Sequence, residues 1–161
     1  MSQAALKDRP GDDVPAGDLY ERDHYGWVEQ QVALLRAGLV EDVDAPRIAA
    51  ELAEIGRGHV ARLENALKMI VVHMLKWDGR AEARSPAWVG SIQEQRRRIV
   101  RLLSRNPSLK SRADRALDDA YEDAVFWAAE ATGQPADEFP RACPYDWSDI
   151  LERAFELDRA A

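Results

Sequence analysis

Residues 69–80 read MIVVHMLKWDGR, an apolar run with one histidine, His73, inside it. An imidazole in such a place suits three roles: general base, metal ligand, or core polar group with a hydrogen-bond partner. The other histidines are His24 and His59. His59 and His73 are separated by fourteen positions, about 21 Å along a straight helix at ~1.5 Å per residue, so they cannot share an ion there. Di-iron carboxylate bundles need Glu-x-x-His on each of two helices, and the chain does not supply that pair. One cysteine, Cys143, excludes an internal disulfide and a four-thiolate site. We expect no bound metal and no cofactor. Phosphate-binding glycine loops, dinucleotide fingerprints and nucleophile elbows do not occur.

His73 falls at the edge of an apolar helical stripe, and Gln95 falls inside the stripe of the next helix, between Trp88 and Ile99. Buried imidazoles and amides need partners. The economical expectation is a polar seam joining His73 and Gln95, with Ser91 or Glu51 as further members. Such a seam either fixes helix register or lines a site.

The segment QRRRIVRLLSR places Arg97, Arg98, Arg101 and Arg105 away from the Trp88–Ile99 stripe, facing solvent, with Glu94 one turn from Arg98. Aromatic residues do not interleave with these arginines, so a base-stacking platform is not indicated. The acidic run DDAYED, residues 118–123, reads as a solvated face, with cation binding as its functional alternative. Net charge is −7, distributed as −5 over residues 1–75, +7 over 76–115 and −9 over 116–161. A basic middle between acidic ends either neutralises itself on folding or meets an anionic partner.

Four main helices must position these groups. The first is capped by Asp23 and stopped near Gly38. The second is long, opened by Asp44 and Pro46 and ended by Asp78-Gly79; its stripe runs Ile48, Leu52, Ile55, His59, Leu63, Leu67, Ile70, Met74, Trp77. Gly56 and Gly58 interrupt it, as a bend or a place of close helix approach. Ser85-Pro86 opens the third and Asn106-Pro107 the fourth, whose inner face is mostly alanine up to Gly133. A proline-rich loop, residues 134–146, precedes a short last helix with Trp147, Ile150, Leu151, Ala154 and Leu157 inward. The fold class expected is therefore all-α, a compact bundle of four main helices plus a short C-terminal one. Residues 1–17 read as a flexible lead and 18–161 as a single α-helical domain. No run of about 18 apolar residues suggests a membrane span, and no signal-peptide run opens the chain. A cytoplasmic protein is expected.

Several stretches in this order carry a resemblance: DHYGW, EIG, HMLKW, SPAW, SIQEQRR, NPSL and FP-x-x-CPY before a short helix. The chain resembles the bacterial family catalogued as domain of unknown function 29, over about Asp18 to Leu157. The resemblance implies an α-helical protein of the bacterial cytoplasm and carries no activity. It marks Glu51, His73, Lys76, Trp88, Gln95 and Arg96 as family positions. The family tends to pair glutamates early in the long helix; here the pair reads Ala50-Glu51, so Glu51 would act alone.

Three function classes follow. The leading one is a non-enzymatic module that binds another protein, using the arginines and an aromatic docking surface on the C-terminal loop (Phe139, Tyr145, Trp147). The alternative is a nucleic-acid binder using the arginine-rich face of residues 96–105. The third is an enzyme with a site around Glu51, His73 and Gln95. Oligomeric state is left open.

Overall fold

The computed structural model describes residues 16–157, and every regular element among them is helical. The lead expected over residues 1–17 lies, for 1–15, outside the described residues; Ala16 and Gly17 already belong to a helix. The elements are α1 (Ala16–Arg22), α2 (His24–Arg36), α3 (Ala45–Gly79), α4 (Pro86–Arg105), α5 (Ala113–Thr132) and α6 (Trp147–Glu152). The four main helices and the short last one agree with the sequence reading, and α1 is an addition to it. The chain divides into two compact units, one up to Glu54 and one from Ile55, with the boundary inside α3.

In the first unit, Asp23 separates α1 from α2 and caps α2 by accepting the Gly26 amide at 2.9 Å. A Cβ at Gly26 would crowd that carboxylate, which would have to shift to make room. Trp27 and Gln31 form the buried side of α2. The Gln31 side-chain oxygen accepts the Asp44 amide at 2.7 Å, fixing the start of α3 to α2. Gly38 closes the connection in the left-handed region, at φ 74°.

In the second unit, Leu63, Leu67, Ile70, Val71 and Met74 of α3 meet Ile92 and Ile99 of α4, the alanine face of α5, and Ile150 of α6. Each large aliphatic side chain buried here contributes about 1.5–3 kcal/mol relative to exposure. Ala116, Ala120, Ala124 and Ala128 are buried as the pattern of α5 predicts, and Gly133 ends that helix at φ 70°. Tyr121 donates to the Pro140 carbonyl at 2.6 Å and so seats the proline-rich loop on α5.

Five expectations are corrected. The stripe of α3 is buried only from Leu63 onward: Leu52 and Ile55 are 62% and 60% exposed. Period 3.6 says which residues share a face, not whether anything covers it. Gly56 and Gly58 mark no close approach, since a Cβ at either meets nothing within 4 Å. Residues Pro107–Arg112 form a 3-10 turn before α5, where an α-helix is expected. In the C-terminal segment α6 stops at Glu152, so Ala154 and Leu157 are exposed and Phe155 packs instead. Phe139 and Tyr145 are core residues, and Trp147 is half-buried with its indole donating to Asp114 at 2.9 Å. The C-terminal loop therefore offers no aromatic docking surface; its aromatic rings serve the hydrophobic core.

Candidate anionic-partner groove

The arginine-rich face of α4 does not stand alone. Beside it, α3 contributes His59, Arg62, Asn65, Ala66 and Met69, and α4 contributes Gln95, Arg98, Arg101, Leu102 and Arg105. Together with Asn106 they line an open groove of about 580 Å³ in the second unit. Ala66, Met69 and Leu102 make an apolar strip within it, and no lining residue is a carboxylate. Helical spacing explains the layout. His59, Arg62 and Asn65 lie on successive turns of α3, as Arg98, Arg101 and Arg105 do on α4.

Glu94 is the local counter-charge. It takes Arg97 at 2.9 Å and Arg98 at 3.1 Å, and reaches Arg101 at 4.0 Å. Hydrogen bonds from Arg97 and then Arg98 hold its carboxyl below the ordinary glutamate value. One carboxylate thus serves three guanidinium groups, while Arg62 and Arg105 have no carboxylate partner among the described residues. Among the described residues, helix packing brings no carboxylate of another helix to these arginines. No ion pair joins these arginines to the acids of α5, whose described pairs are Lys68–Asp123 and Arg115–Asp119. The Nδ1 atom of His59 is buried without a protein hydrogen-bond partner.

The expected polar seam separates into distinct settings. His73 stacks on Trp88, with ring centroids 6.4 Å apart, and the Lys76 ammonium lies 4.3 Å from the same indole centroid. Burial, then Lys76, pushes the His73 imidazole below its ordinary value. No described hydrogen bond joins His73 to Gln95; the His73 Nδ1 has no protein partner, and Gln95 lines the groove. Ser91 is half-buried and makes no described side-chain hydrogen bond.

Arg96 turns the other way, donating to the carbonyls of Ile150 at 2.6 Å and Asp149 at 2.9 Å. Its partners hold the C-terminal segment. Nearby, Asp78 accepts from Tyr145 at 2.8 Å and pairs with Arg153 at 2.5 Å, and Phe155 packs edge-on against Trp77. Burial alone would raise the Asp78 carboxyl, but the bonds from Arg153 and Tyr145 outweigh it and leave it below its ordinary value.

Glu51 belongs to the first unit. Tyr20 donates to it at 2.6 Å, and the His24 Nε2 lies 3.2 Å from the same oxygen. Those two hydrogen bonds lower the Glu51 carboxyl, which makes it a weak base at neutral pH. Glu21-x-x-His24 crosses the α1–α2 break, so that pair does not share one helix face. Among the described residues no three His, Cys, Asp or Glu side chains form a group fit for a metal ion.

Of the arginines singled out in the sequence, Arg98, Arg101 and Arg105 line the groove and Arg97 lies outside it. Sequence reasoning misses Arg62 and Asn65. Their signal is the i, i+3, i+6 spacing from His59, which is legible only once α3 and α4 are known to be neighbours.

An all-α fold with a cationic inter-helix groove defines the class of molecule. The chain belongs to the family described as Domain of unknown function DUF29, which matches residues 19–156. No curated protein matches the chain, and no solved structure does.

Proposed function

We propose that this protein is a non-enzymatic interaction module that takes an acidic protein partner in the α3–α4 groove. One observation carries the reading: Arg62, Arg98, Arg101 and Arg105 line a groove that contains no carboxylate. The apolar strip of Ala66, Met69 and Leu102 favours a protein surface over a bare phosphate backbone, since carboxylates and apolar side chains occur together on helices. We also read the protein as bacterial and cytoplasmic; its single cysteine fits a reducing compartment. Among the described residues no helix is long and apolar enough to cross a membrane.

The test is fluorescence anisotropy of the full chain against labelled polyglutamate and against a single-stranded oligonucleotide of equal charge. Polyglutamate should bind, and replacing the four groove arginines by serine should weaken it by roughly tenfold or more, about 1.4 kcal/mol. Equal binding by the variant would remove the groove from the account. The second reading, a nucleic acid on Arg97, Arg98, Arg101 and Arg105, predicts oligonucleotide affinity that falls steeply and log-linearly with salt. The groove lining holds no Phe, Tyr or Trp, and the single imidazole of His59 is a small platform for single-strand stacking.

A further inference from the structure

The exposed face of α5 has the chemistry that the groove lacks. The helix carries Asp118, Asp119, Glu122, Asp123 and Glu130 on its outer side, all exposed. Only Asp119 and Asp123 have described ion-pair partners. Two large aromatic residues stand on the same outward side: Phe126 is 59% exposed and Trp127 is 55% exposed. They contact each other edge-on at 5.7 Å. A half-exposed aromatic pair beside carboxylates is a poor match to water and a good match to an interface.

The two faces correspond in several respects. The groove presents four arginines, Arg62, Arg98, Arg101 and Arg105, and the outer side of α5 presents the five acids just named. Arg98 and Arg105 are seven positions apart, as are Asp119 and Phe126, about 10.5 Å of helix at ~1.5 Å per residue. Phe126 projects within about 40° of both Asp119 and Glu122 at ~100° per residue. The acids can meet guanidinium groups while the rings reach Met69 and Leu102 or cover an arginine plane. Both faces belong to the second unit and stay unpaired with each other within one chain.

We infer that the occupant of the groove is the α5 face of a second copy of this chain. The inference rests on the reading of the groove given above. The contact is heterologous, since a groove meets a helix face, so one contact leaves a free groove on one copy and a free face on the other. Association is therefore concentration-dependent, grows beyond two copies or closes into a ring, and weakens as salt rises.

Sedimentation velocity of the full chain over a concentration series tests this. At low salt the weight-average mass should rise above the 18.1 kDa monomer and return to it at high salt. A groove variant, Arg98→Glu with Arg101→Glu, should be monomeric. A face variant, Asp119→Lys with Glu122→Lys, should be monomeric too. Mixed in equal amounts, they should give a two-chain species that does not grow, because one intact groove then meets one intact face. Phe126→Ser with Trp127→Ser leaves the charge unchanged and should also weaken association. Circular dichroism of each variant checks that the helices are kept.

A parent chain that stays monomeric at low salt overturns the inference. So does association that survives the face variant, or a mixture that stays monomeric. If polyglutamate still binds in an arginine-dependent manner in those cases, the groove reading stands and only the second copy falls. If polyglutamate also fails, both fall.

Discussion

His73 stacks on Trp88 beside Lys76, and its buried nitrogen has no protein partner, so replacing it strands nothing. His73→Phe should therefore change stability at neutral pH by less than about 1 kcal/mol, against the 1–3 kcal/mol cost of stranding a buried partner. The pH dependence should differ more. The folded-state value of His73 is lowered by burial and then by Lys76. As pH falls below the ordinary histidine value of ~6.5, the unfolded chain takes up a proton before the folded one does, so stability drops. Denaturant midpoints between neutral pH and about pH 5 should fall for the parent and fall less for His73→Phe. Equal slopes would show that the imidazole is not desolvated. Asp78 acts in a lower window. Its value is depressed, so the stability it adds is present above the ordinary carboxylate value and lost as pH falls through the lower folded one.

At the scale of the element, α3 carries two glycines that nothing contacts. Gly56→Ala and Gly58→Ala should each stabilise the protein by roughly 0.5–1 kcal/mol, through helix propensity and a less flexible unfolded chain. A lowered melting temperature for either would mean that the glycine meets something absent from the isolated chain. The C-terminal segment predicts the opposite sign. Asp78→Asn loses the ion pair to Arg153 and weakens the bond from Tyr145, a loss of about 1 kcal/mol after allowing for solvent screening. Arg96 would still hold the carbonyls of Asp149 and Ile150. Loosening should therefore concentrate between Tyr145 and Phe155, and hydrogen exchange by mass spectrometry resolves that segment.

For the molecule as a whole, the two units differ in what holds them. The first buries Trp27 and Gln31 of α2, whereas the second buries the large apolar cluster shared by α3, α4, α5 and α6. Free energies of local opening follow buried apolar contact. Amides of α1 and α2 should exchange faster than those of residues 63–77 and of α5, and should do so without global unfolding. Uniform protection across both units would contradict this. Charge adds a further property of the whole chain. Net charge is −7, yet the groove is cationic, so long-range repulsion and local attraction act on an acidic partner together.

The sequence by itself determined the helices, because caps, first-turn prolines and closing glycines act locally. Asp23, Asp44, Pro86 and Gly133 each mark a boundary within a residue or two of where it falls, and Asn106 marks the end of α4 but not the start of α5, which begins at Ala113. It also determined that Arg98, Arg101 and Arg105 face solvent and that Glu94 pairs with Arg98. It missed α1, whose seven residues show no stripe long enough for a period to be read. Only the tertiary structure decided which faces are covered. Leu52 and Ile55 continue the pattern of Leu63 and Leu67 yet lie open, and Phe139 and Tyr145 look like loop residues yet are buried. Tertiary packing alone also brought Arg62 of α3 beside the arginines of α4, and turned Arg96 away to the C-terminal segment. The physical reason is one of range. Capping and periodicity are set by neighbours within a turn or two, whereas burial and the meeting of charges depend on residues distant in the chain.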